Sequence, residues 1–261
     1  MKADQIIKNA RIFTSNQDAP QATALAVKDG KFVYVGDETG LSAYEGEVTD
    51  LGGRFIVPGI IDSHVHVTMP VGFEYADMGP RIECDGKQAA LDVMADYIRK
   101  HPGEKRYRFM MEKKVLNGDD IIKEELDYVG KELAENSYPI KSFFDAGACA
   151  VFHSDYPVSP SFSIPHSIYM AETRALPKSF GIEAETQHNI KEAITREQSL
   201  RALTINVAHA WHQEHRLGSI EFGKIDNMTV YDCDFLHDDI EKVAGAKLVA
   251  TVVDGEEVYK A

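Results

Sequence analysis

The sequence predicts an α/β protein in which short strands from both ends of the chain pack together as one small β-domain, with an alternating strand and helix region between them. Three observations carry this expectation. β-prone runs lie at 5–13 (QIIKNARIF), 22–27 (ATALAV) and 31–35 (KFVYV), and again at 228–231 (MTVY), 248–253 (LVATVV) and 258–259. Neither set is large enough for a stable sheet by itself, so burying both means packing them together. Third, the intervening residues switch repeatedly between helical and strand patterning, which predicts a parallel sheet or barrel with active groups at the carboxyl ends of its strands.

Taken in order, the first strands are punctuated by Asp29-Gly30, a tight hairpin signal, and Asp254-Gly255 plays the same part near the far end. The apolar run starting at Phe55 predicts a strand over 55–67. Residues 87–101 (KQAALDVMADYIRKH) place apolar side chains at 91, 94, 95 and 98, a helical stripe that stops at His101-Pro102-Gly103. A strand is expected over 106–115, a charged helix over 119–135, and a helix over 138–146 that starts near Pro139 and stops at Gly147. Residues 148–152 (ACAVF) predict a short buried strand leading to His153-Ser154-Asp155. Thr195-Arg196-Glu197-Gln198 fits a capping box, and Leu200, Leu203, Val207 and Ala208 continue the helix it opens.

The totals exclude several roles. With 28 basic against 42 acidic residues the net charge is -14, which argues against nucleic acid or an anionic membrane as partner and favours small molecules. No run approaches eighteen apolar residues and the first residues do not pattern as a signal peptide, so a cytoplasmic location and no membrane span are expected. Cys84, Cys149 and Cys233 make no Cys-x-x-Cys pair and read as reduced and structural, with Cys149 a candidate pocket residue.

The chemistry centres on Gly59-Ile60-Ile61-Asp62-Ser63-His64-Val65-His66. On a strand, His64 and His66 share a face and project together, a chelating arrangement for a divalent ion. The alternative is two polar residues at a strand end.

Four stretches resemble the metal-dependent amidohydrolase superfamily, in particular its YtcJ-like branch. They are 6–13 with 24–35 (IIKNARIF, ALAVKDGKFVYV), 50–66 (DLGGRFIVPGIIDSHVH), 151–158 (VFHSDYPV) and 218–232 (GSIEFGKIDNMTVYD). The resemblance implies a small β-sandwich joined to a (β/α)8 TIM barrel, with divalent metal at the barrel mouth and hydrolysis of amide-type bonds. Residues 1–54 plus 219–261 would form the composite β-sandwich and 55–218 the hydrolase domain. His64 and His66 match two histidine ligands of the family, and Asp155 matches an aspartate that contacts the metal or takes a proton from its water. Zinc is the expected ion. The further lysine or acid and the two later histidines of the family pattern have no counterpart at a strand end between His66 and Val151.

Residues 55–218 are also too few for a complete eightfold barrel, which takes about 250 residues and rarely under about 200. A central block is therefore expected to be missing, with the junction in 121–136, leaving an arc of strands eight, one and two. His153 is a candidate extra ligand, sharing a face with Asp155, while His209, His212 and His215 read as a solvated helix end. Tyr75, Asp77, Met78, Tyr156 and Phe162 are the candidate substrate walls. Two functions follow: a metal-dependent hydrolase of non-peptide C–N bonds, and a catalytically silent remnant acting as a binding or assembly module. Uncovered strand edges predict a homo-oligomer.

Overall fold

A computed structural model describes residues 1–65, 81–84, 87–100, 102, 110–113, 130, 132–133, 136–156, 163–178 and 187–261, with backbone alone at 81–84, 87–90, 94 and 110–113. Two sheets hold the chain ends. The first contains β1 (Lys2–Lys8), β4 (Ala24–Lys28), β5 (Lys31–Gly36) and β6 (Glu45–Asp50) in the order β5-β4-β1-β6. The second runs β12-β11-β10-β7-β2-β3, where β2 is Arg11–Phe13, β3 Gln21–Ala22, β7 Phe55–Pro58, β10 Met228–Tyr231, β11 Leu248–Val253 and β12 Glu256–Lys260. β7 is the seam of this sheet: Ile56 pairs in parallel with Ile12 and Val57 antiparallel with Thr229. All four β7 residues are buried. A continuous apolar run of that kind is what a strand covered on both faces requires.

Residues of both sheets meet in one buried cluster that includes Ile7, Leu25, Val27 and Phe32 from the first and Ile12, Ile56, Met228 and Val230 from the second. The opposite face of the second sheet carries Phe13, Phe55 and Val57 into another cluster with Tyr231, Phe235, Ile168 and Leu200. Phe235 is the hub there, with ring centroids 4.5 Å from Tyr231 and 5.4 Å from Phe55. Alternation along β7 thus sends Ile56 to one core and its neighbours Phe55 and Val57 to the other.

Both Asp-Gly turns adopt positive φ at each residue: 51° and 68° at Asp29 and Gly30, 51° and 78° at Asp254 and Gly255. That is the twist a two-residue hairpin needs. The two tips touch, since a Cβ on Gly30 would stand 2.9 Å from the Asp254 carbonyl oxygen and one on Gly255 2.8 Å from Gly30 Cα. Asp226 joins them, its N–H donating to Gly30 O (2.9 Å) and its carbonyl accepting from Gly255 N–H (3.0 Å).

Three expectations change. The strand starting at Phe55 ends at Pro58 and lies in the sheet of the terminal strands, and 59–65 is not strand. A glycine is needed at 59 because a Cβ there would stand 2.8 Å from Asn227 Cβ. Residues 148–152 likewise form no strand: Phe152 N–H donates instead to the Ala202 carbonyl at the end of a helix (2.9 Å). The helix after Thr195 is two helices. A complete capping box opens Arg196–Ala202, and Ile205–Ala210 follows. Thr204 separates them, its Oγ1 donating to Leu200 O (2.7 Å) and meeting Ser15 Oγ at 2.8 Å. Such back-bonding by a β-branched residue competes with helix continuation.

The middle region supplies one strand-helix-strand unit, in which β8 (Arg81–Cys84) and β9 (Met110–Lys113) pair in parallel across α1 (Lys87–Lys100). The helix expected over 119–135 and most of the strand expected over 106–115 lie outside the described residues. Pro139 precedes α2 (Ile140–Asp145), and Gly147 follows it at φ 78°. The sequence reading passed over α3 (Ile164–Thr173), although Ser163 caps it and Pro165 occupies its first turn. The two helices opened at Thr195 become α4 (Arg196–Ala202) and α5 (Ile205–Ala210), and α6 is Ile240–Ala244. No helix among the described residues is long and apolar enough to cross a membrane.

Candidate metal-ligand site

Two loops build the site. Residues 59–64 leave β7 and run beside 151–156, held at both ends by main-chain bonds: Gly59 N–H to Asn227 O (2.8 Å), Ile61 N–H to Leu203 O (3.0 Å) and Asp155 N–H to His64 O (3.3 Å). Side chains stitch them together. Ser63 Oγ donates to Phe152 O at 3.0 Å, and Asp62 Oδ1 accepts from Ser154 N–H at 3.0 Å and from His64 N–H at 3.3 Å. The other Asp62 oxygen accepts from Ser154 Oγ. Ser154 is buried, so Asp62 satisfies a polar group that would otherwise be costly to cover.

This stitching brings together two of the three predicted site residues. His64 Nε2 lies 3.3 Å from Asp155 Oδ1. That contact is as long as two of the hydrogen bonds that hold the loops, so the two side chains meet directly. Imidazole nitrogen with carboxylate oxygen is also a donor set that zinc accepts. Asp155 has φ 55°, a left-handed conformation that aspartate tolerates better than most residues. Its carboxylate therefore leaves a turn, not the end of a strand. His153 packs edge-on against His64 with ring centroids 5.2 Å apart.

His66 lies outside the described residues, as do Tyr75, Asp77, Met78 and Phe162. No group of three His, Cys, Asp or Glu side chains that could hold an ion is found among the described residues. Among the described residues, the donors that could face one ion are His64 and Asp155. Tyr156 is exposed, and Cys149 is exposed with its Sγ 3.6 Å from the Asn206 carbonyl. Cys233 is buried, which pushes its thiol up to about 12 and keeps it protonated at neutral pH. His209 pairs with Glu214 (Nδ1 to Oε1, 3.4 Å) beyond the end of α5. The sequence reading missed Asp62 and Ser154 as positioning residues. The signal was there: an Asp followed two residues later by the histidine is the pattern of an Asx turn.

The chain is similar to several known proteins. Exoenzymes regulatory protein AepA of Pectobacterium carotovorum subsp. carotovorum is 33% identical over 106 residues, 38% of this chain and 22% of that protein. The allantoinase of Bacillus licheniformis is 36% identical over 91 residues, 33% of this chain and 19% of its own length. The chain thus aligns with about a fifth of either relative. Among solved structures, an adenosine deaminase from Xanthomonas campestris with bound zinc superposes with a TM-score of 0.58 at 11% identity, covering 98% of this chain and 93% of that one. That likeness is one of fold. The model of the amidohydrolase family matches residues 122–259, more than half of the sequence, and the chain belongs to that family.

Proposed function

We propose that the protein is a metal-dependent amidohydrolase that hydrolyses a non-peptide amide or related C–N bond of a small molecule. The observation that carries this reading is the 3.3 Å approach of His64 Nε2 to Asp155 Oδ1, two residues far apart in sequence that both fall in family-like motifs. His64, His66 and Asp155 would hold the ion, with zinc the expected metal. When bound, a divalent ion provides Lewis acidity that brings the pKa of water from about 16 toward about 7. Asp155 accepts a proton from the attacking water at its carboxylate and returns it to the leaving nitrogen, base and then acid. Asp62 fixes the loop that carries His64 and the residue before Asp155, so it positions both groups without touching substrate.

In this reading the two terminal sheets form a β-sandwich, and β8, α1 and β9 belong to an arc of an incomplete (β/α)8 barrel. The start of the family match at residue 122 supports a junction in 121–136. A homo-oligomer and a cytoplasmic location are part of the same proposal.

A second reading, a catalytically silent remnant acting as a binding or assembly module, is favoured by the sequence, in which the further lysine or acid and the two later histidines of the family pattern find no counterpart between His66 and Val151. Metal analysis of the purified chain, with hydrolysis assays on N-acyl substrates, separates the two. The enzyme reading expects about one ion per chain, lost in His64→Ala/His66→Ala. Less than about 0.1 ion per unmutated chain together with no hydrolysis would leave only the remnant.

A further inference from the structure

A cavity of about 580 Å³ opens between β2, β3 and the loop after β10, sharing no lining residue with the His64 and Asp155 loops. Its size falls within the range of about 300–1,000 Å³ typical of small-molecule sites. One buried carboxylate organises its polar wall. Asp234 is 5% exposed, and its Oδ1 accepts main-chain N–H bonds from Leu236 (2.9 Å) and His237 (3.2 Å). Its Oδ2 accepts from Arg11 Nη1 at 3.3 Å and lies 3.0 Å from His237 Nδ1. The guanidinium and the imidazole therefore flank a single oxygen, and among the described residues neither outer edge has a further hydrogen-bond partner; the two side chains are 58% and 64% exposed.

We propose that this cavity binds a small organic monocarboxylate, its charged end on Arg11 beside His237 and its apolar body against Phe13, Phe55 and Leu236. Asp234 uses one nitrogen of the guanidinium, and the rest of the planar fork is the geometry that takes a carboxylate in two parallel hydrogen bonds. A monoanion is specified over phosphate or a dicarboxylate by two facts. Asp37 stands on the same cavity, with its carboxyl held below the usual range by hydrogen bonds from Thr39, so it stays charged and repels a second negative group. The whole chain carries -14, which opposes multiply charged anions further.

The test is isothermal titration of the intact chain at pH 7 with 3-phenylpropionate. Saturable one-to-one binding is expected, at least about tenfold weaker for the uncharged 3-phenylpropionamide and for Arg11→Gln, and intermediate for Arg11→Lys. Thr23→Trp, at an exposed lining position, should abolish binding while leaving the Arg11–Asp234 pair, and so decides the matter if Arg11→Gln fails to fold. No saturation up to about 10 mM would overturn the proposal. So would equal affinity for the amide, tighter binding of 3-phenylpropylamine, or binding unaffected by Thr23→Trp.

Discussion

The terminal sheets and the ligand loops hold their shape by different means. In the sheets, register is fixed by ladders of paired residues, and each face of β7 disappears into a core of tightly packed apolar side chains. In the loops around His64 and Asp155, main-chain bonds and a few side-chain hydrogen bonds from Asp62 and Ser63 do the holding, and the side chains of His64 and Asp155 remain 54% and 33% exposed. The rigid part thus lies away from the groups proposed to react, which sit where a few polar contacts set the geometry. A site that would admit a substrate and release a product could not be packed as β7 is.

The sharpest test of that contrast is on the packed side. Phe235→Ala removes the ring at the hub of the second core and should cost about 3–5 kcal/mol, read as a fall in urea midpoint at unchanged m-value. A loss below about 1 kcal/mol would mean that the core is not close-packed there.

Asp226 probes an exception inside the rigid part. It is fully buried, neither carboxylate oxygen has a hydrogen-bond partner among the described residues, and burial pushes its pKa from 3.8 up to about 7. Because the folded value is the higher one, its contribution is intact only below about pH 4, is lost progressively as pH rises from there to about 7, and the cost levels off above that at roughly 4 kcal/mol. Asp226→Asn should match the parent near pH 4 and exceed it by a margin that grows up to about pH 7 and is then constant to about pH 8 in urea unfolding. Parallel pH profiles for the two proteins would show that the carboxyl is solvated after all.

On the loop side, Asp62→Ala should lower metal affinity or activity about 10–100-fold, since groups that orient ligands are worth that much, while the urea midpoint of the sheets moves little. If stability falls as far as for Phe235→Ala, the loops and the sheets are one cooperative unit and the contrast fails. The smallest effect is expected at the capping box of α4. Thr195→Ala removes the acceptor for Gln198 N–H and should cost about 1 kcal/mol, measurable by thermal unfolding.

The local code was legible wherever a few adjacent residues decide the outcome. Asp29-Gly30 and Asp254-Gly255 turn the chain as read, Thr195 and Gln198 cap their helix reciprocally, and α1 ends within a residue of its stripe. The errors share a cause. Residues 59–65 and 148–152 are apolar enough to pass for strands, but their backbone groups bond to the end of α4 and to the side chains of Ser63 and Asn206, partners that no periodicity announces. The same limit applies to the site. His64 and Asp155 were found because each falls in a family-like motif, whereas Asp62 and Ser154 matter only through a contact between distant stretches. The Arg11, Asp234 and His237 cluster was invisible for the same reason: it unites residues from opposite ends of the sequence.

The contact between the Gly30 and Gly255 hairpin tips, clamped by the Asp226 main chain, bears on how the molecule is made. On the ribosome the first six strands and β7 emerge long before β10, β11 and β12, so the apolar edge of β7 that pairs with β10 waits without its neighbour while the whole middle of the chain is synthesised. Pairings of such wide sequence separation form slowly and leave strand edges open to wrong partners in the meantime. Closure of the hairpin tips is then a last step of folding. Chains released before residue 226 would lack the clamp together with β10, β11 and β12, leaving β7 without its antiparallel neighbour and the chain as a substrate for chaperones and proteases.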